Sequence, residues 1–162
     1  NHVTNHSQEQ QSGKSFYNNS EVAIIKSLLR EFDKLNNACS LDIGIITGYS
    51  AQKDRLQKSI TNSNYNQLVK PIVDTLDAFQ GRQNNIIIYS TVRTDKSIGF
   101  QKEKERINVA FSRAKCLLII CGDLDYFYNW DNGENKYVEI INYVKLHPNT
   151  CKIINVNDGD IQ

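Results

Sequence analysis

Residues 86–92, Ile-Ile-Ile-Tyr-Ser-Thr-Val, decide the fold class of this chain. The run is too short for a helix, is rich in β-branched residues and stays apolar at consecutive positions. These properties are typical of a strand that is buried on both faces. Similar short runs predict further strands at residues 43–47, 72–76, 116–122 and 153–156.

Amphipathic segments separate most of these strands. Helices are predicted at residues 51–60, 102–114 and 136–146, and an earlier helix starts at a Ser20 cap and continues to Leu35. Strands that are apolar on both faces and alternate with helices imply an α/β domain, with helices on both faces of a mostly parallel sheet.

Ligands bind beyond the carboxyl ends of the strands in sheets of this class. Thr47, the loop after Leu76 and Gly122 are all expected at those ends. The carboxyl edge of the sheet is therefore the first place to look for a binding site.

The composition fits one compact domain within a longer protein. At 162 residues with 40% hydrophobic residues, the chain is long enough to bury a core. Residues 1–15 are polar and predict a flexible lead-in, which leaves residues 16–162 as the domain. The chain contains no methionine, even at position 1, so we expect it to be a piece of a longer protein.

Charge is unevenly distributed, although the net charge is only +1. Residues 75–115 carry eight Lys or Arg against four Asp or Glu, whereas residues 123–162 carry three against seven. The basic middle could attract phosphates, and a solvated mixed surface is the alternative.

The four cysteines include no CxxC pair. Cys116 and Cys121 lie within a predicted strand and are expected to be buried, reduced thiols of a cytoplasmic or nuclear protein. No apolar run approaches the roughly 18 residues of a membrane span, and no signal peptide is visible.

Gly81 follows the second predicted main strand and is flanked by two polar residues, Gln80 and Arg82. Glycine allows a backbone to come close to a phosphate and permits a positive φ. A plain turn glycine between two strands is the alternative interpretation.

Residues 13–15, Gly-Lys-Ser, do not form a nucleotide-binding loop. The GxxxxGK[ST] motif needs a glycine five positions before Gly13, and Gln8 stands there. No Asp-Glu pair follows an apolar strand to bind magnesium. The chain by itself therefore has no evident MgATP site and no predicted metal ligands.

Arg113 stands near the end of a predicted helix, where its side chain could reach a phosphate held by another domain. Guanidinium stays charged and binds phosphate oxygens with two parallel hydrogen bonds. A surface arginine paired with a carboxylate is the alternative. Thr47 and Thr75 could contact a nucleic acid backbone, and Tyr49 could stack on a base. A partly buried tyrosine is the alternative for Tyr49.

Four segments resemble one family in the correct order. Residues 43–52, 77–82 and 108–115 resemble motifs IV, V and VI, and residues 13–21 resemble the segment entering the domain. The chain resembles the second RecA-like motor domain of superfamily 1 helicases, in the branch of the nonsense-mediated-decay RNA helicase and senataxin. The resemblance implies a three-layer RecA-like domain of the P-loop NTPase type.

The resemblance also implies roles at the nucleotide. Arg113 would be the motif VI arginine finger, and Gly81 would lie against the γ-phosphate. Gln80 and Arg82 would couple nucleotide state to the cleft, and Gln83 would meet the ribose. ATP and Mg²⁺ would be bound mainly by an N-terminal RecA-like domain of the same protein.

The second implied ligand is single-stranded DNA or RNA, which the protein would follow in the 5′ to 3′ direction. Thr47 and Thr75 would touch its phosphates, beside Tyr49. Two residues depart from the family pattern: Gln83 replaces the usual glutamate, and Gly48 stands where proline is common. A catalytically inert RecA-like scaffold is the alternative function.

Overall fold

A computed structural model of the chain describes residues 8–35, 42–65, 71–99, 103–130 and 135–156. Six strands and five helices occur in these ranges. In chain order they are β1 Gln10–Ser12, β2 Ser15–Tyr17, α1 Asn19–Leu35, β3 Ile43–Thr47, α2 Ser50–Thr61, β4 Ile72–Thr75, β5 Asn84–Ser90, α3 Lys104–Phe111, β6 Ala114–Cys121, α4 Leu124–Asn129 and α5 Lys136–Leu146.

Four strands form one parallel sheet in the order β4-β3-β5-β6. Thr47 on β3 pairs with Thr75 on β4 and with Ser90 on β5, and Ser90 pairs with Cys121 on β6. The carboxyl ends of all four strands therefore line one edge of the sheet, as the sequence predicts.

Helices cover both faces of the sheet. On one face, α1 and α2 bury Ile25, Leu29 and Leu56 against the strands. On the other face, Ala110 of α3 packs with Phe79 and the strand residues. This arrangement confirms the predicted α/β fold with a parallel sheet between helical layers, and it is consistent with a RecA-like P-loop fold.

Gly44 explains how the chain between β4 and β5 lies so close to the sheet. A Cβ atom at position 44 would lie 2.6 Å from Phe79 Cζ and 2.8 Å from Ile87 Cδ1. Phe79 is 1% exposed because it occupies this space. Because Gly44 has no side chain, Phe79 packs directly against β3 and holds the segment that resembles motif V on the sheet.

The amino-terminal region contains strands that the sequence analysis did not predict. Residues 10–17, which overlap the predicted lead-in of residues 1–15, form an antiparallel hairpin of β1 and β2. The α1 cap is Asn18, whose Oδ1 accepts hydrogen bonds from the amides of Ser20 and Glu21. The predicted Ser20 cap is wrong, because Asn18, two residues earlier, caps the helix.

The strand predicted at residues 153–156 does not form. The described chain runs without a ladder partner there, and Ile154 is 74% exposed. A strand of four residues gains little unless a neighbouring strand accepts its hydrogen bonds. α4, which the sequence analysis did not predict, occupies the region just after β6.

Cys116 is exposed, which corrects the prediction that both strand cysteines are buried. The reason is that β6 lies at the edge of the sheet, so only its carboxyl end is covered, where Cys121 lies. Cys39 and the predicted helix start at Lys102 lie outside the described residues. No described helix has the length and apolar character to cross a membrane.

Candidate nucleotide and nucleic-acid site

The segment between β4 and β5 runs from the carboxyl edge of the sheet, where the parallel strands end, to the amino edge, where they begin. It leaves Thr75 at the carboxyl edge and enters β5 at Asn84, which pairs with Ala114 at the amino end of β6. Because β4 and β5 are parallel, residues 76–83 must run along the face of the sheet. The loop after Leu76 therefore starts at the carboxyl edge, as predicted, but ends at the amino edge.

This crossover brings two predicted nucleotide-binding segments together. Asn84 N donates a hydrogen bond to Arg113 O over 3.1 Å, immediately after Gln83. Gly81, Arg82 and Gln83 are all exposed and precede this bond directly. Arg113 and the glycine loop thus share the amino edge, while the two predicted nucleic-acid threonines share the carboxyl edge.

Gly81 adopts a φ of 81°, a left-handed conformation that favours glycine. No atom lies within 4 Å of where its Cβ would be, so the backbone here is open. Arg82 N donates to Phe79 O over 3.2 Å, which closes the turn before it. This geometry fits both interpretations of Gly81, a glycine that contacts a phosphate and a plain turn glycine.

Two ion pairs hold the ends of this loop. Arg82 Nη1 lies 3.7 Å from Asp74 Oδ2 on β4. Arg106 of α3 donates through Nη2 to Asp77, with 3.1 Å to Oδ1 and 3.3 Å to Oδ2. Gln80, which is exposed, lies between these two anchors.

Arg113 follows Ser112, the C-cap residue of α3. Its Nε donates to Val109 O over 3.1 Å, and its side chain is partly exposed. Within the described ranges Arg113 makes no ion pair, so the alternative of a carboxylate partner does not apply there. The Nε bond fixes the root of the guanidinium and leaves both Nη groups for another ligand.

The carboxyl edge is less open than the sequence analysis expected. Thr47 is fully buried, and its Oγ1 accepts a hydrogen bond from Tyr49 N at 3.4 Å. Tyr49 is 3% exposed, with its ring edge-on to Phe16 at 5.7 Å between centroids. This arrangement leaves no face of Tyr49 for a base to stack on. Thr75 is partly exposed.

Glu21, the last residue of the segment that resembles the entry into the domain, carries a buried carboxyl group at this edge. Its side chain is 2% exposed and accepts hydrogen bonds from Ser90 Oγ at 2.5 Å, Thr91 Oγ1 at 3.2 Å and Val92 N at 2.8 Å. Burial raises the pKa of Glu21 to about 7, an effect that these hydrogen bonds partly oppose.

Val92 carries backbone strain beside this carboxyl group. Its φ is 70°, which is rare for a β-branched residue. Val92 N donates to Glu21, and Val92 O accepts a hydrogen bond from Asn18 Nδ2 at 3.4 Å. Gln52, also fully buried, links Asn18 to Ser90. Such strain persists only where the surroundings hold it, and it is concentrated at functional sites.

Arg93 connects the amino-terminal hairpin to the same loop. Its Nε lies 2.8 Å from Glu9 Oε2, and its guanidinium lies 4.2 Å from the centre of the Phe16 ring. Glu9 Oε2 also accepts a hydrogen bond from Thr94 N at 2.7 Å. Glu9, which lies in the predicted lead-in, and Phe16 of β2 thus contact the loop after β5 and help to fix its conformation.

No cluster of three potential metal ligands occurs among the residues for which the structure gives positions. The candidate binding groups lie at two opposite edges of the sheet. One edge has an open glycine turn and an arginine, and the other has hydroxyl groups and a strained loop.

The fold and this arrangement define a RecA-like α/β domain of the P-loop type. The AAA domain family matches residues 1–125. The chain belongs to that family, and its relatives place it among the superfamily 1 helicases.

Three relatives illustrate this similarity. DNA polymerase alpha-associated DNA helicase A of Saccharomyces cerevisiae is 33% identical over 148 residues, covering 80% of this chain and 21% of that protein. Probable helicase senataxin of Homo sapiens is 37% identical over 120 residues, covering 72% and 4%. ATP-dependent helicase upf1 of Schizosaccharomyces pombe is 36% identical over 117 residues, covering 69% and 12%.

The chain therefore spans about a fifth or less of the length of these relatives. Each comparison describes similarity to one part of a much longer helicase. These matches establish the helicase family.

Proposed function

We propose that this chain is the second, C-terminal RecA-like motor domain of an ATP-dependent superfamily 1 helicase or translocase. The observation that carries the proposal is the hydrogen bond from Asn84 N to Arg113 O at 3.1 Å. It places the open glycine turn beside the arginine at one edge of the sheet. A nucleic acid strand would bind at the opposite, carboxyl edge.

Arg113 is proposed as the arginine finger. An N-terminal RecA-like domain of the same protein would hold ATP and Mg²⁺, and Arg113 would reach the γ-phosphate across the cleft. Its Nη groups would neutralise charge that develops during phosphoryl transfer, an effect of about 10³–10⁵ in rate. The bond from Nε to Val109 O orients the guanidinium before nucleotide arrives.

The glycine turn would bind the same nucleotide. The Gly81 backbone is open enough to lie against the γ-phosphate, with Gln80 and Arg82 on either side. Gln83 would hydrogen-bond the ribose, since an amide both donates and accepts. Arg82 would exchange its 3.7 Å contact with Asp74 for the nucleotide.

Single-stranded DNA or RNA would bind at the carboxyl edge. Thr75 is the accessible candidate for a phosphate contact there. Thr47 and Tyr49 would support this edge from beneath, because Thr47 Oγ1 accepts from Tyr49 N and both side chains are buried. Residues 76–83 run between the two edges and would couple nucleotide state to the grip on the strand.

The test is Arg113→Ala in the full-length parent protein, assayed for ATP hydrolysis with and without single-stranded DNA or RNA. We expect stimulated hydrolysis to fall by about 10³-fold or more. Binding of the single strand should remain within a few-fold of the unsubstituted protein. Arg30→Ala, which removes an exposed arginine on α1, is the matched control.

Unchanged hydrolysis by the Arg113→Ala protein would remove the arginine-finger assignment. An unsubstituted parent protein with no hydrolysis at all would favour the inert scaffold. Arg113→Lys separates charge from geometry, because lysine keeps the charge but cannot form two parallel hydrogen bonds. We expect it to recover little of the lost activity.

A further inference from the structure

A cavity of about 330 Å³ opens between α4 and the loop after β5. Its lining comprises Thr94, Asp125, Tyr126, Asn129 and Trp130. None of these five residues belongs to the nucleotide edge or to the strand contacts proposed above. The cavity has no assigned role, and its lining combines two aromatic rings with one carboxylate.

Hydrogen bonds to the neighbouring loop hold the two aromatic walls in place. The Tyr126 hydroxyl donates to Asp95 O over 3.2 Å, and Trp130 Nε1 donates to Lys96 O over 3.4 Å. Asn135 Nδ2 donates to Trp130 O over 3.0 Å from the start of α5. A cavity with fixed walls loses little entropy when a ligand enters, which favours binding.

Two positive charges near the cavity are each paired with a carboxylate among the described residues. Arg93 is paired with Glu9 at 2.8 Å, and the Lys96 ammonium lies 3.8 Å from the Asp95 carboxylate. The Asp125 carboxylate has no hydrogen bond or ion pair to any described residue. Asp125 is therefore the charge in the lining that no other described residue balances.

Aromatic rings beside a carboxylate attract cations for two reasons. The face of an aromatic ring carries negative electrostatic potential, and tryptophan has the most favourable ring. The carboxylate adds a charge-assisted hydrogen bond, which is strongest with guanidinium. A phosphate group would be repelled by Asp125, so this cavity does not suit the backbone of a nucleic acid.

We propose that this cavity binds an arginine side chain presented by a basic segment of a partner protein. The guanidinium lies against Trp130 and Tyr126 and donates to the Asp125 carboxylate. This site is independent of the motor function, because no residue in it takes part in the proposed nucleotide or strand contacts. It would attach a partner beside the strand-binding edge.

Trp130 is the only tryptophan in the chain, so intrinsic fluorescence reports directly on this cavity. The experiment titrates the 162-residue protein with a hexa-arginine peptide and, separately, with a hexa-citrulline peptide of the same shape but no charge. We expect a saturable fluorescence change with hexa-arginine and none with hexa-citrulline at the same concentrations.

Two variants locate the binding. Asp125→Asn keeps the shape of the wall and removes its charge, and we expect it to weaken hexa-arginine binding at least roughly fivefold. Asp54→Asn removes a carboxylate that is 72% exposed on α2 and should leave the affinity unchanged. Circular dichroism on each variant shows whether the fold is intact.

Three results would overturn the proposal. One is equal binding of the arginine and citrulline peptides by the unsubstituted protein, which needs no variant to fold. Another is hexa-arginine affinity that does not change in folded Asp125→Asn. The third is a Trp130 response to a twelve-residue oligouridine that disappears in the same variant, since the cavity would then bind nucleic acid.

Discussion

Arg106 Nη2 lies 3.1 Å from Asp77 Oδ1 and 3.3 Å from Asp77 Oδ2, so α3 holds the start of the crossover between β4 and β5. The two residues are 29 positions apart. Asp77 begins the segment that resembles motif V, and Arg106 lies two residues before the segment that resembles motif VI. This ion pair is a physical link between the proposed nucleotide loop and the helix that precedes Arg113.

The first prediction concerns this ion pair. Asp77→Asn should lower the free energy of unfolding by less than about 1 kcal/mol, because the Asp77 side chain is 75% exposed and water screens the pair. Urea denaturation measures this change. Combining Asp77→Asn with Arg106→Gln in a double-mutant cycle isolates the pairwise energy. A coupling above about 2 kcal/mol would contradict the solvent-screened picture.

The second prediction concerns the close contact at Gly44. Gly44→Ala should destabilise the protein by about 1–3 kcal/mol, because the new Cβ would lie 2.6 Å from Phe79 Cζ. Gly48→Ala is the matched control, since no atom lies within 4 Å of a Cβ at that position. Equal unfolding free energies for the two variants in urea would show that Phe79 does not pack as described.

The third prediction concerns the buried carboxyl group of Glu21. Burial raises its pKa from 4.5 to about 7, so the native protein keeps a proton that the unfolded chain releases between these pH values. The stabilisation that this group contributes is complete below about pH 4.5 and is lost as the pH rises to about 7. This pH-dependent contribution is absent when a neutral side chain replaces the Glu21 carboxyl group.

Urea unfolding of the unsubstituted protein and Glu21→Gln at pH 5 and pH 8 measures this effect. The stability of the unsubstituted protein relative to the variant should fall by about 2–3 kcal/mol over this range, because one pKa unit corresponds to about 1.4 kcal/mol. A relative stability that stays constant or rises with pH would rule out the raised pKa.

The fourth prediction concerns thiol reactivity. Iodoacetamide should alkylate Cys116 in the native protein, because Cys116 is exposed on the edge strand β6. Cys121 should react only after unfolding, since burial raises the pKa of its thiol far above the ordinary value and excludes the reagent. Mass spectrometry of peptides from native and urea-treated samples measures both rates. Equal native rates would mean that β6 is covered differently.

Local sequence pattern predicted most of the regular elements. The strand at Ile43–Thr47 and the helix at Lys136–Leu146 have the bounds that apolar runs and helical spacing predict. Each depends on residues that are close in sequence, so no distant partner is needed to recognise it. The helix α4 escaped prediction because it is only six residues long.

The predicted strand at residues 153–156 shows where such reasoning fails. Its residues have the apolar character of a strand, but a strand also needs a neighbour to accept its hydrogen bonds. The hairpin at residues 10–17 shows the opposite error, because polar residues paired where the chain folds back on itself. The extent of Tyr49 burial also depends on distant residues, since Phe16 packs on its ring and Arg93 contacts its hydroxyl group.

The sequence by itself determined the parallel α/β class and the motif-bearing segments, because short-range apolar patterns and residue types encode both. Tertiary structure alone decided that Gly81 and Arg113 share one edge, and that Glu21 is buried against Ser90. Those relationships depend on strand order and on contacts between residues far apart in the chain. They arise only when the crossover and α1 pack on opposite faces of the same sheet.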